Sequence, residues 1–75
     1  MTKKELKEIV KEFLNGRLTK GDRIVDWDIE TSLMYGQHLV NVIVVSAYHS
    51  VYRCEMWVDP IKQEVVEHDL FQNLS

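Results

Sequence analysis

Leu39-Val40-Asn41-Val42-Ile43-Val44-Val45 is the stretch that decides the fold. It is β-branched and apolar at both parities, so it reads as an interior strand needing cover on its two faces. Strands are expected on either side. Upstream, Val25, Trp27 and Ile29 alternate with Asp26, Asp28 and Glu30, the period-two pattern of a half-buried strand. Tyr35-Gly36 falls where that alternation lapses and suits a tight hairpin. Downstream, Tyr52, Cys54, Met56 and Val58 alternate with Val51, Arg53, Glu55 and Trp57 as a third strand. The turn between them, around Ser46 to Ser50, carries no Gly or Pro to place it. Asp59-Pro60 opens the next turn, and Glu64 to His68 reads as a short fourth strand. Leu70, Phe71 and Leu74 form an apolar tail.

One helix precedes these strands. Leu6, Ile9, Val10, Phe13 and Leu14 make a stripe of 3.6-residue period, which predicts a helix over about residues 3–15. Thr2 and Glu5 match a capping box, and Asn15-Gly16 supplies the stop. The connections are too short for parallel crossovers. The expectation is therefore an α+β fold in a single domain, 1–75, with one helix on one face of a four-stranded antiparallel meander (α-β-β-β-β), two layers deep.

Composition excludes several classes of function. With 75 residues, 45% hydrophobic and 28% charged, the chain is too apolar for a disordered segment and has room for one thin core. It contains no apolar run of the length a membrane span requires. The charged start, Met1-Thr2-Lys3-Lys4-Glu5, does not resemble a secretory leader. A single cysteine cannot form an intrachain disulfide, and a cytoplasmic protein is expected.

Catalytic and metal chemistry find little support. His38, His49, His68 and Cys54 include the right atoms for zinc but lack ligand spacing. Cys54 lies in phase with Tyr52, Met56 and Val58, so it reads as a buried thiol rather than a nucleophile. Asp26, Asp28 and Glu30 recur about every 6.6–6.8 Å along a strand, a separation some paired-carboxylate enzymes use. A sheet this small has no walls for a substrate cleft, and a row of like charges on an edge strand ordinarily serves solvation. Gly16, Gly21 and Gly36 form no phosphate-cradling loop. No enzyme, cofactor or metal is expected; a small enzyme or metal-binding protein is the third alternative.

Charge is divided along the chain. Residues 1–23 hold seven Lys/Arg against four Asp/Glu, a balance of +3, and residues 24–75 hold two against eight, a balance of −6. Lys4, Lys7, Lys11, Arg17, Lys20 and Arg23 could meet phosphates, which makes a nucleic-acid-binding accessory protein the second alternative. The sequence pI near 5.5 and the missing aromatic–basic interleaving count against it.

The sheet faces say more. One helix covers one face. If Val42 and Val44 face it, Ile43, Val45 and Trp57 lie on the other, flanked by Asp26, Asp28 and Glu30. An uncovered apolar patch of this kind marks an interaction surface, unless the tail of Leu70, Phe71 and Leu74 folds over it. A homodimer formed through back-to-back sheets is expected, because it would enlarge the thin core. The expected role is a small non-catalytic module that modulates or inhibits a protein partner through a sheet face or edge.

From Val40 to Val66 the chain resembles a PepSY-type repeat, or more broadly a half-cystatin arrangement. Cys54-Glu55-Met56-Trp57-Val58-Asp59, a turn over Pro60 to Gln63, and Glu64-Val65-Val66 follow the pattern of its hairpin, with Gln63 where that family usually has glycine. The resemblance implies a non-catalytic binding or inhibitory module acting on a protein.

Overall fold

A computed structural model describes residues 1–74. The element order is α1 (Lys3–Leu14), β1 (Arg23–Ile29), β2 (His38–Val45), β3 (Val51–Asp59) and β4 (Glu64–Asn73). The four strands form one antiparallel sheet in the order β1-β2-β3-β4. This is the α+β meander that the alternation patterns predict.

Helix α1 begins with both halves of the capping box. The Glu5 backbone N–H donates to Thr2 Oγ1 at 3.1 Å, and the Thr2 N–H donates to Glu5 Oε1 at 2.9 Å. These bonds to Thr2 hold the Glu5 carboxyl below its ordinary pKa. Asn15 closes the helix, and Gly16 follows in the left-handed region at φ 86°. The helix stripe lands on one parity of the sheet. Leu6, Val10 and Leu14 are buried against Val40, Val42 and Val44 of β2 and Cys54, Met56 and Val58 of β3. Ile9, Phe13, Trp27, Ile29, Val65, Leu70 and Phe71 pack around that centre and are partly buried. Lys7 and Lys11 reach back over the Trp27 ring, at 5.4 and 6.0 Å from its centroid, so the wet side of the helix also shields the β1 flank.

Each turn has its own device. Tyr35 and Gly36 are both left-handed, at φ 54° and 77°, between the reciprocally bonded Met34 and Gln37. That is the type I′ geometry whose twist matches the flanking strands. At the β2–β3 turn, Ser46 Oγ accepts the Tyr48 and Ser50 N–H groups at 3.2 and 3.1 Å. A serine hydroxyl thus does the work that Gly or Pro does elsewhere. At the β3–β4 turn, Asp59 Oδ1 accepts the Ile61 and Lys62 N–H groups at 2.8 and 3.0 Å. The Lys62 and Ile61 bonds lower the Asp59 carboxyl pKa. Gln63 sits at φ 55°, left-handed without being glycine.

Three details depart from the sequence reading. Val25 is not on the buried parity with Trp27 and Ile29. The register pairs Ile24 with Val44 and Asp26 with Ile43, so Val25 is the extra residue of a β-bulge, 51% exposed, and Ile24 turns inward instead. The fourth strand does not stop near His68 but runs to Asn73, with bulges opposite Trp57/Val58 and Arg53/Glu55. The tail of Leu70, Phe71 and Leu74 consequently does not fold over the uncovered face. Leu70 and Phe71 stay in the sheet and pack on the helix-side core, while Leu74 is 51% exposed. The extension holds because β3 offers a ladder of backbone partners to residues too polar to announce a strand.

Candidate functional site

The face of the sheet turned away from α1 is built by the opposite parity of all four strands. Leu39, Asn41, Ile43 and Val45 of β2 and Val51 and Trp57 of β3 are half-buried there by their strand neighbours alone. Among the described residues, no helix or loop forms a second layer over them. Register places Leu39 beside Trp57 and Val45 beside Val51, so apolar pairs occupy both ends of the central two strands.

The middle of the face is polar and mostly acidic. Asp28, Asn41, Glu55 and Asp69 are successive register partners from β1 to β4, a row straight across the sheet. At strand spacings of about 4.7–4.9 Å, that row is on the order of 14 Å wide. Glu30, whose N–H donates to the Leu39 carbonyl at 2.9 Å, and Glu67, opposite Trp57, bracket the Leu39–Trp57 pair. Asp26 lies opposite Ile43. Two guanidiniums share the face: Arg23, opposite Val45, and Arg53, whose Nη2 donates to Gln72 Oε1 at 2.6 Å. Asn41 Oδ1 is shut off from water at the centre and accepts no hydrogen bond. Shallow clefts of about 210 and 110 Å³ lie on its two sides, the first lined by Asp26, Asp28, Ile43 and Arg53, the second by Asp28, Glu30, Met34 and Leu39.

The sequence-derived candidates fall out clearly. Ile43, Val45 and Trp57 share this face with Asp26, Asp28 and Glu30, as the parity argument places them. Glu55 was visible in the β3 alternation but was not weighed as part of the site. Glu67 lies within the fourth strand that the sequence predicts, but the bulge opposite Trp57/Val58 shifts its phase against Val65, and Asp69 lies beyond that strand's expected end at His68. The six basic candidates do not assemble. Lys7 and Lys11 bend toward Trp27 on the β1 side, whereas Arg17 lies over the Phe13 ring, 3.9 Å from its centroid, and donates to the Phe13 carbonyl. Phe13 in turn meets the His68 ring on the β4 side, and Arg23 points to the opposite face of the sheet. Lys4 and Lys20 are exposed.

The metal-type residues are equally scattered. His38 is buried, with Nδ1 3.3 Å from the Glu30 carbonyl and Nε2 without a partner. His49 lies in the turn at the far end of β2, and the His68 ring meets Phe13 at a tilt of 52°, with centroids 5.2 Å apart. Among the described residues, no group of three or more His, Cys, Asp or Glu is placed to hold a metal ion. Cys54 is fully buried; burial pushes its thiol pKa up, against an opposing N–H from Phe71 at 3.5 Å. Its reaction with a disulfide reagent should therefore be at least tenfold slower in the folded protein than in urea. Equal rates measured by absorbance would show an accessible thiolate and refute the buried reading.

Comparison with known proteins leaves the face to be read on its own chemistry: no family model, curated protein or solved structure matches the chain. No helix among the described residues is long and apolar enough to cross a membrane.

Proposed function

We propose that this protein is a small non-catalytic binding module that modulates a protein partner by docking it on the open sheet face. The observation that carries this reading is the uncovered apolar set of Leu39, Ile43, Val45 and Trp57, in a domain whose helix is already committed to the other side. Half-buried aliphatic side chains beside a tryptophan, set among carboxylates, have the anatomy of an interface with an apolar centre and a polar rim. A PepSY-like or half-cystatin arrangement would imply the same kind of role. The unpaired, buried Cys54 thiol suits a reducing, cytoplasmic setting.

Affinity capture from the native host, with immobilised wild-type, Trp57→Ala and Tyr48→Ala proteins, tests the reading. Tyr48 is 92% exposed in the β2–β3 turn, away from this face. Specific partners should be lost with Trp57→Ala and retained with Tyr48→Ala, both variants first being shown folded by circular dichroism. Retention of every specific partner by Trp57→Ala would end the proposal.

A further inference from the structure

We infer that the occupant of the open face is a lysine- or arginine-rich protein surface and not a second copy of this chain. The inference rests on the docking role proposed above and names the chemistry of the partner.

Charge on the face is the first ground. Asp26, Asp28, Glu30, Glu55, Glu67 and Asp69 all belong to it, against Arg23 and Arg53. Arg53 is already engaged by Gln72, and both arginines sit toward the end of the sheet nearer the β2–β3 turn. The other end, around Leu39 and Trp57, has carboxylates on both flanks and no cation among the face residues. Two copies pressed together through this face would double the acidic excess inside a partly dehydrated interface, where like charges are costly and unscreened. A basic surface meets the same carboxylates with charge-assisted hydrogen bonds, while its side-chain stems lie along Leu39, Ile43 and Trp57.

The second ground is the need for donors. The row offers the carboxylate oxygens of Asp28, Glu55 and Asp69 on three of the four strands, on either side of Asn41. Ammonium and guanidinium groups are donor-only, so they match this row in both charge and hydrogen-bonding sense. The clefts on either side of Asn41 give long side chains a place to enter.

The test uses a nine-residue arginine peptide as probe, titrated into the isotopically labelled full chain at 150 mM salt and followed by amide chemical shifts. Shifts should concentrate on β1 to β3 around Asp28, Asn41, Glu55 and Trp57. The double variant Asp28→Asn/Glu55→Gln should weaken binding at least tenfold. Glu8→Gln/Glu12→Gln removes the same formal charge from the helix and should change it less than twofold. Equal weakening by both pairs, shifts on the helix, or no binding at millimolar peptide would overturn the inference. So would a dimer in sedimentation that tightens when Asp28 and Glu55 are neutralised, because that result would seat a second copy on the face. If capture of host partners is lost with Trp57→Ala but survives Asp28→Asn/Glu55→Gln, the docking face stands and the basic partner is excluded.

Discussion

Leu6→Ala should lower folding stability by about 2–5 kcal/mol, the usual range for truncating a fully buried leucine. Leu6 is 0% exposed and belongs to a centre of nine buried apolar residues among those described. Removing its isobutyl group leaves a cavity between α1 and the sheet, which a two-layer fold cannot close by shifting a third layer. For a domain of this length, total stability is roughly 4–11 kcal/mol at about 0.05–0.15 kcal/mol per residue. The loss would therefore be a large fraction of the whole, and a destabilised or partly unfolded protein at 37 °C is the expected result. The measurement is the urea midpoint, with Lys4→Ala as a solvent-exposed control on the same helix, expected within about 0.5 kcal/mol of wild type. A Leu6→Ala midpoint indistinguishable from that of Lys4→Ala would mean that the helix does not seal this side of the sheet.

The second large effect comes from a residue that carries no side chain. Gly21→Ala should cost about 2–5 kcal/mol, combining roughly 1–2 kcal/mol for a left-handed backbone with about 1–3 kcal/mol for overlap. Gly21 has φ +93°, and a methyl group there would lie 2.6 Å from Ala47 Cβ. Ala47 Cβ is attached directly to the backbone of the β2–β3 turn, so relief requires moving the turn itself. The loop before β1 is also tied down, because the Thr19 N–H and Oγ1 donate to Asp22 Oδ2 at 2.8 and 3.0 Å. The two contributions can be separated. Adding Ala47→Gly to Gly21→Ala should restore the steric share and leave the backbone share. If the double variant is no more stable than Gly21→Ala alone, the close approach of the two loops is not real.

How far the chain could be read in advance follows from which signals are periodic. Leu6, Val10 and Leu14 stand in helical phase, and Val40, Val42 and Val44 face them because β2 is apolar at both parities. That two-sided character leaves open which parity the helix covers; with Val42 and Val44 beneath α1, Ile43, Val45 and Trp57 follow on the other side. Phase counting failed at Val25, where one inserted residue reverses the parity and Ile24 takes the inward position. It failed again in β4, where the bulge between the Val65 and Glu67 pairings shifts the phase and Asp69, beyond the expected end at His68, is held by its backbone ladder with β3. That hid the place of Glu67 and Asp69 on the face. The turn expected around Ser46 to Ser50 lies there, and its device is not Gly or Pro but a side-chain hydroxyl that accepts two backbone N–H groups. Gln63 takes the left-handed conformation without being glycine, so composition understated the turn there.

The bulges of β1 and β4 limit how the molecule associates with others. Both outer strands of the sheet are interrupted, β1 at Val25 and β4 at two places along its length. An incoming strand laid along either margin would meet donors and acceptors out of step, which discourages the sideways growth that turns small open sheets into fibrils. A partner docked as proposed would therefore approach the flat of the sheet rather than lengthen it.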